Sequence, residues 1–384
     1  MKFVHTLISI FLFIGISVNA NPLVADTLVG KQDNKNARTG EITLKDGVRY
    51  IGEVRLRRPH GTGKAIYRNG DIYEGEFAKG KRSGKGKMTY SNGDCYIGNF
   101  EKDSLNGKGK YIYADGSTFY GRWNNGIREN LGRIEYSNGD SYTGEWHNGK
   151  RSGKGNYIFA GGASYDGEWK DDEYNGNGVF VWHDGSRYNG EWKNGKRNGF
   201  GIFHGSDSSF YKGEWIDNTC NGTGSFVAPD SSCYVGMFKD GKWHGEGVFI
   251  ASDSSVYKGT FVNGMRHGKG SMSFSNGDVY EGDWEYNKRC GKGTYTWENG
   301  DVYEGDWKND TMNGAGVLRL KNGIEYKGGY LDGNESGTGV AIDKEGVRYE
   351  GTFVEGLRDG KFIVKDKDGK IIGKSTYKSG ILKK

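Results

Sequence analysis

Proline, cysteine, histidine and long apolar segments are scarce in this chain of 384 residues. It contains 3 prolines, 4 cysteines and 7 histidines. Beyond the first twenty residues, no segment is apolar enough to cross a bilayer, which takes about 20 consecutive apolar residues. No segment shows the 3.6-residue period of an amphipathic helix. Short Gly-x-Gly runs such as Gly84-Lys85-Gly86 therefore lack the helix that a phosphate-binding loop needs, and we expect no cofactor.

A strong charge of one sign is also missing. Lysine and arginine number 54 against 49 acidic residues, so the formal net charge is only +5. This charge is too weak to predict a nucleic-acid partner, because such binding depends on many phosphate contacts. His244 and His267 hold the same position in neighbouring repeats, about 10 Å apart in a sheet. One zinc ion, with ligands at about 2 Å, cannot bridge them, and we expect no metal site.

Glycine and aromatic residues are abundant, and a fixed period places them. The frame Tyr-x-Gly-x-aromatic recurs every 23 residues, fourteen times in one register. A fixed short period indicates stacked identical units and not a single central core. The frames begin at Tyr50, Tyr73, Tyr96, Phe119, Tyr142, Tyr165, Tyr188, Tyr211, Tyr234, Tyr257, Tyr280, Tyr303, Tyr326 and Tyr349.

Each unit has the pattern of a β-hairpin. In the unit that starts at Tyr188, Gly190 and Trp192 alternate with polar residues, which is the period of a half-buried strand. Asn194-Gly195 then predicts a tight turn, and a second Asn-Gly or Asp-Gly turn closes most units. The sequence predicts an all-β fold, an elongated, twisted, single-layer antiparallel meander of about 14 hairpins, or roughly 28 strands. Units ending at Ser208, Ser231 and Ser254 lack the second-turn glycine, so we expect their loops to differ.

One face of the predicted sheet carries the rings and the other carries acids. The tyrosine, the ring that closes the frame and an apolar residue of the second strand all point to the same face. The opposite face carries a solvated acidic row. This row consists of Glu76, Glu145, Glu168, Glu191, Glu214, Asp283 and Asp306.

The ends of the chain depart from the repeat. Residues 1–20 have a basic start and an apolar stretch that ends in Val18-Asn19-Ala20, which predicts a signal peptide cleaved after Ala20. An uncleaved membrane anchor is the alternative. Residues 21–39 are predicted to be a flexible leader, 40–371 the repeat array, and 372–384 a basic tail or cap. The mature protein is therefore expected to be exported, to the periplasm, the medium or a host.

The four cysteines are expected to be free thiols. Cys95 and Cys233 occupy the same position of two units that lie six units apart, and Cys220 and Cys290 lie three units apart. A disulfide requires Cα atoms within about 7 Å. Stacked units at these separations cannot satisfy that requirement.

The unit resembles a known repeat. Tyr142-Thr143-Gly144-Glu145-Trp146, followed by Gly149, Gly153 and Gly155, matches the pattern Tyr-x-Gly-x-Trp-x-x-Gly-x-x-x-Gly-x-Gly. This is similar to the MORN repeat (membrane occupation and recognition nexus), and the resemblance covers residues 50 to about 371. The units at Tyr50, Phe119 and Tyr349 depart most from it. The resemblance implies an elongated sheet used for scaffolding, membrane attachment or self-association, and does not by itself imply an enzyme.

Two surfaces are candidates for function. The first is a basic row just past the first turn, which we expect along one edge of the ribbon as a lipid or partner site. It comprises Lys81, Arg82, Arg128, Lys150, Arg151, Lys196, Arg197, Lys242, Arg266, Lys288 and Arg289. The second is an aromatic face, represented by Trp123, Trp146, Trp169, Trp192, Trp215, Trp284 and Trp307.

Three functions remain open on this evidence. The first is a non-enzymatic exported scaffold that binds a protein partner or a second copy of itself. The second is a peripheral membrane binder, because basic rows attract anionic lipid headgroups by about 1 kcal/mol per charge. A solubilising lysine row that protects the sheet edge is the plain alternative for those residues. The third is a glycan or cell-envelope binder whose rings stack on sugars.

Overall fold

The alternation of rings and polar residues produces strands throughout the described chain. The computed structural model describes residues 38–383, which form one open antiparallel sheet of 32 strands and no helix. No helix within 38–383 could therefore span a membrane. The predicted all-β meander is confirmed, with a few more strands than the roughly 28 expected.

The strands are short and similar in length. In the first half they are β1 (Arg38–Thr43), β2 (Arg49–Arg55), β3 (Arg58–Ile66), β4 (Ile72–Ala78), β5 (Lys81–Thr89), β6 (Cys95–Glu101), β7 (Ser104–Ile112), β8 (Thr118–Asn124), β9 (Ile127–Glu135), β10 (Ser141–His147), β11 (Lys150–Ile158), β12 (Ser164–Lys170), β13 (Glu173–Val181), β14 (Arg187–Lys193), β15 (Lys196–His204) and β16 (Phe210–Ile216). In the second half they are β17 (Thr219–Val227), β18 (Cys233–Lys239), β19 (Lys242–Ile250), β20 (Val256–Val262), β21 (Met265–Ser273), β22 (Val279–Glu285), β23 (Lys288–Thr296), β24 (Val302–Lys308), β25 (Thr311–Arg319), β26 (Glu325–Leu331), β27 (Asn334–Ile342), β28 (Arg348–Val354), β29 (Leu357–Arg358), β30 (Gly360–Lys365), β31 (Ile371–Lys378) and β32 (Ile381–Lys383).

Each strand pairs with its neighbours in the chain, except that β29 and β30 both pair with β28. In the unit of Tyr188, Tyr188 lies opposite Phe203 and Gly190 opposite Gly201, while Trp192 lies opposite Arg197. Between the last two of these pairs the chain advances by two residues in β14 and by four in β15, which makes a β-bulge. The bulge recurs at the same place in every hairpin from β2–β3 to β26–β27. Strands that pair only with sequence neighbours have their turns on the two long edges of the ribbon. The bulge lies beside one of these, the first-turn edge.

The two kinds of turn use left-handed backbone. Asn194 and Gly195 have φ of 50° and 74°, which fits the two-residue hairpin turn predicted from Asn-Gly. In the second turn of the preceding unit, Gly185 has φ of 84° and its N–H donates to the Trp182 carbonyl at 3.0 Å. Ser231 at the equivalent position has φ of 69°, and its N–H donates to Ala228 at 3.0 Å. The expectation that the serine loops differ is wrong, because the serines adopt the same left-handed backbone conformation as the glycines.

This strain gives a prediction for stability. Left-handed backbone costs an L-residue about 1 kcal/mol or more. Ser231→Gly should therefore raise the free energy of unfolding by about 1 kcal/mol, measured by urea denaturation. The reverse change, Gly185→Ser, should lower it by a similar amount, since a Cβ added at Gly185 meets no heavy atom within 4 Å. A destabilised Ser231→Gly would contradict this reading of the turn.

The sheet extends past both ends of the predicted array. Strand β1 begins at Arg38, within the predicted leader of 21–39. Residues 372–383 of the predicted tail form most of β31 and all of β32, which pair antiparallel with each other. The predicted signal peptide and its cleavage point after Ala20 lie outside the described residues.

The buried side chains form a single row of packed rings on one face. Ten of the frame tyrosines, together with Phe119, are fully buried. No second sheet covers these rings within 38–383, so they cover one another. Position in the 23-residue unit therefore determines whether a side chain is core or surface.

Candidate functional site: the aromatic face and its basic edge

The frame tyrosine lies flat across the strand pair that it belongs to. The Tyr188 hydroxyl donates to the Glu191 carbonyl at 3.0 Å, and equivalent bonds recur along the array. A Cβ added at Gly201 would lie 2.2 Å from the Tyr188 hydroxyl oxygen. Burial removes this hydroxyl from water and raises the pKa of Tyr188. The glycines of the frame are therefore required by the ring that covers them.

The seven predicted tryptophans are core residues. They are only 3–7 % exposed. Trp169 stands edge-on between Tyr142 and Tyr165 at 5.2 Å from each ring, and its indole N–H donates to the Gly155 carbonyl at 3.0 Å. Six of the seven indoles make this bond to a glycine carbonyl. Their faces are thus occupied by neighbouring rings.

The predicted basic edge divides into two rows. The lysines at Lys81, Lys150, Lys196, Lys242 and Lys288 are exposed at the first-turn edge. Three of them approach turn carboxylates, as in Lys196 with Asp217 at 3.6 Å. The neighbouring arginines instead lie on the aromatic face, because successive strand residues point to opposite faces. These are Arg82, Arg128, Arg151, Arg197, Arg266 and Arg289.

The arginines form part of the packed core. The Arg151 guanidinium lies 4.4 Å from the Trp169 ring centroid and 5.2 Å from that of Tyr157. It also donates to the carbonyl and carboxylate oxygens of Asp172, at 3.1 and 3.0 Å. Four further arginines stack on tryptophan at 4.3–4.5 Å, and Arg82 lies over Phe100 at 5.6 Å. Such contacts are worth about 0.5–2 kcal/mol each and leave these guanidinium groups little freedom to bind lipid.

The acidic row has a structural role that its sequence pattern did not predict. The Glu191 carboxylate accepts the main-chain N–H of Phe200 at 3.0 Å, and so fills the bulge that Gly190 and Trp192 span. The same bond recurs at Glu76, Glu145, Glu168, Glu214, Asp283 and Asp306. The recurring acid, nine residues before the main-chain N–H that it binds, is visible in the sequence. Its role could not be predicted, because the contact depends on a bulge for which the sequence gives no local indication.

These bonds predict acid sensitivity. The main-chain N–H and hydroxyl of Thr223 lower the pKa of Glu214 below its usual 4.5, and those of Thr62 do the same for Glu53. A lowered folded-state pKa stabilises the fold above the unfolded value and loses that stability as pH falls through the folded value. We expect stability to fall below about pH 4 in thermal melts between pH 3 and 7. Glu53→Gln/Glu214→Gln should show a smaller fall, and an unchanged profile would contradict the assignment.

A third set of rings is half-buried, and we call it the ring row. Its members follow the second strand near the opposite, second-turn edge and remain partly open to solvent. They are Tyr67, Tyr90, Tyr113, Tyr136, Phe159, Trp182, Phe274 and Trp297. Gly205, Ala228 and Ala251 occupy the equivalent positions between Trp182 and Phe274 and divide the row in two. The sequence shows this row at the same period, but the more regular tryptophans obscured it.

Cysteine and metal chemistry is limited within residues 38–383. All four cysteines are free, as predicted. Burial raises the pKa of the Cys220 thiol to about 11, so it is a poor nucleophile. No group of three or more potential metal ligands occurs among the described residues.

Comparisons with known proteins place these features in context. A search of curated proteins finds no match. Among solved structures, the TCP domain of SAS-4 (dCPAP) of Drosophila melanogaster, in complex with a proline-rich motif of Ana2, has a TM-score of 0.27 and 18% identity, covering 50% of this chain and 98% of that chain. The TCP10 domain of Danio rerio CPAP has a TM-score of 0.15 and 10% identity, covering 82% and 99%. A virginiamycin B lyase from Staphylococcus aureus has a TM-score of 0.12 and 13% identity, covering 81% of this chain and 93% of that chain. These TM-scores are too low to support a functional comparison.

The repeat itself matches a family model, the MORN repeat. The matches cover 50–72, 73–95, 96–118, 119–141, 142–164, 165–187, 188–210, 211–233, 234–256, 257–279, 280–302, 303–324 and 349–361. These thirteen segments span most of the chain and start at the frame residues identified from the period. Each matched segment begins with a frame tyrosine or phenylalanine, and all but the last contain the glycines on which that ring packs. The chain belongs to the MORN repeat family.

Proposed function

We propose that this protein is a non-catalytic, exported scaffold that binds a protein partner on the ring row. The observation that carries the proposal is the half-buried state of those rings. Partly open aromatic side chains supply large contact area at low entropic cost, and aromatic residues are enriched at protein interfaces. The fully buried tryptophans cannot serve this purpose without unfolding.

The ring row also has a length suited to an extended partner. From Tyr67 to Trp182 it passes through six consecutive units, at about 10 Å per unit in a sheet. It therefore offers a line of contacts about 50 Å long on one side of the ribbon. The protein partner in this proposal includes a second copy of the chain that binds through the same rings.

The alternatives receive less support from the geometry. A membrane site along the first-turn edge would rest on the lysines alone, and turn carboxylates face three of them. A glycan site on the seven predicted tryptophans would need open ring faces, whereas these seven are 3–7 % exposed. Anionic-vesicle flotation separates the lipid alternative from the scaffold, and retention on polysaccharide resin separates the glycan alternative.

Site-specific photo-crosslinking tests the proposal. A photoreactive residue is placed in the full-length protein at Tyr136 in the ring row, at Thr143 on the opposite face, or at Lys196 on the lysine edge. We expect a discrete protein adduct from Tyr136 only. Adducts of equal yield at all three positions, or at Thr143 or Lys196 alone, would contradict the ring row as the binding surface.

Export is tested separately. N-terminal sequencing of the protein recovered from the extracytoplasmic fraction should begin at Asn21. Recovery of the intact N-terminus in a membrane fraction would favour the uncleaved anchor instead.

A further inference from the structure

Two of the seven tryptophans lack the arginine that packs against the other five. Beside Trp192 the place is filled by the Tyr174 ring, at 5.4 Å between centroids, and beside Trp123 it is held by Leu105. In the hairpin of β6 and β7, Leu105 occupies the position that Arg151 holds in β11. Beside this shorter side chain the aromatic face has a solvent-open pocket of about 480 Å³, which we call the cavity. Its lining includes Tyr90, Leu105, Tyr111, Tyr113 and Trp123, with Arg82 and Asp103 on one side.

The walls of this cavity match the arginine sites elsewhere in the chain. The ring centroids of Tyr157 and Trp169 are 6.1 Å apart at 38°, and the Arg151 guanidinium contacts both rings. Those of Tyr295 and Trp307 are 6.0 Å apart at 37°, with Arg289 in contact with both. At the cavity, Tyr111 and Trp123 are 5.6 Å apart at 35°. The Tyr–Trp pair beside Leu105 thus has the geometry of the arginine-filled units. Phe180 and Trp192 share that geometry, at 6.2 Å and 42°, but there the Tyr174 ring fills the place of the arginine.

The hydrogen-bonding partners of that site are also in place. Arg128 donates to the Gly149 carbonyl at 2.8 Å, and Arg151 to the Asp172 carbonyl at 3.1 Å. The equivalent carbonyl beside Leu105 belongs to Gly126, which lines the cavity, and a leucine side chain has no N–H to offer it.

Charge does not oppose a cation here. Arg82 borders the cavity one unit away, at the separation that Arg128 and Arg151, or Arg266 and Arg289, already share in consecutive units. Asp103 lies between the two positions, and its carboxylate is 43% exposed. A cation in the cavity would thus extend the existing row of guanidinium groups from Arg82 to Arg128.

We propose that this cavity binds an arginine side chain of the protein partner, whose guanidinium stacks on Trp123 and donates to the Gly126 carbonyl. The proposal deepens the scaffold function and rests on it, because Tyr90 and Tyr113 belong both to the cavity and to the ring row. The partner's arginine would make the guanidinium–tryptophan contact that an arginine of the chain itself makes in five other units. It would fix the register of an extended partner along the array.

A peptide titration with two variants tests this assignment. The probe is acetyl-Gly-Arg-Gly-amide, and the control is the same peptide with citrulline, which has nearly the same shape and no charge. The readout is the indole N–H NMR spectrum of the full protein, which has 10 tryptophans. The Trp123 resonance is assigned with Trp123→Phe, since phenylalanine occupies this position in other units.

We expect the arginine peptide to shift the Trp123 resonance at millimolar concentration and the citrulline peptide to bind at least about fivefold more weakly. Leu105→Arg should abolish the shift, because it fills the cavity as arginine does in the neighbouring unit of Arg82. Arg151→Leu should create the same site at Trp169 and move that resonance. A shift retained in Leu105→Arg, or equal responses to both peptides, would overturn the proposal.

The outcomes are distinguishable from a failure of the scaffold proposal. Leu105→Arg is expected to fold, so it decides the question even if Arg151→Leu loses its dispersed spectrum. If Tyr136 still crosslinks a partner while the arginine peptide shifts no indole resonance, the ring row binds and the cavity assignment is wrong. If the peptide binds at Trp123 and no partner crosslinks at Tyr136, the cavity stands and the scaffold surface is wrong.

Discussion

Gly201→Ala is expected to be among the most destabilising single-methyl changes in the protein. The added Cβ would lie 2.2 Å from the hydroxyl oxygen and 2.4 Å from the Cζ carbon of Tyr188. The ring cannot yield without leaving its buried site and breaking its 3.0 Å bond to Glu191. We expect a loss of about 3 kcal/mol or more, in the range of deleting a buried aromatic side chain.

Gly195→Ala provides the matched control for this change. A Cβ there meets no heavy atom within 4 Å, although φ is 74°. Only the left-handed backbone is strained, so we expect a loss of about 1 kcal/mol. Because repeat arrays unfold locally, hydrogen exchange in β14 to β16 should be measured beside urea denaturation. Equal losses for the two variants would show that the tyrosine does not depend on the glycine beneath it.

Trp169→Ala should have the second large effect. It removes an almost fully buried indole, two edge-on ring contacts, the bond to Gly155 and the stacking partner of Arg151. Truncation of a buried tryptophan costs about 3–5 kcal/mol. The loss should appear as accelerated hydrogen exchange in β11 to β13, the strands that share these contacts.

Trp169→Phe separates ring packing from the rest. Phenylalanine occupies the same position at Phe77, Phe100 and Phe261, where it is buried against the flanking tyrosines. Only the indole N–H bond and part of the contact to Arg151 are lost, so we expect a cost of about 1–2 kcal/mol. A phenylalanine variant as unstable as the alanine variant would contradict the role assigned to the rings.

The period predicted most of the fold because each repeat position has one structural role. Tyr188, Gly190 and Trp192 alternate across a strand, and Asn194-Gly195 can close only a tight turn. The serine loops were mispredicted because the hydrogen bonds of the turn hold Ser231 in a conformation that the residue alone disfavours. The bulge was not predicted because it is set by pairing between strands and not by local preference.

The candidate site was predicted less well, for two physical reasons. Adjacent residues of a strand point to opposite faces, so Lys150 and Arg151 could not share one surface, although the sequence presents them as a pair. The tryptophans were proposed as a candidate binding face because a single sheet has no second layer to cover them. Their neighbours in the same layer cover them instead, as Tyr142 and Tyr165 do for Trp169. Leu105 is one of seven residues other than arginine at this repeat position. Its role could not be predicted without knowing which face the position occupies.

Small-angle X-ray scattering of the purified protein tests the central claim most directly. An open sheet of 32 strands, spaced about 4.8 Å apart, is about 150 Å long before twist and curvature shorten it. We predict a rod-like distance distribution with a largest dimension above about 100 Å. A radius of gyration near 20 Å, as expected for a compact globule of this length, would contradict the account.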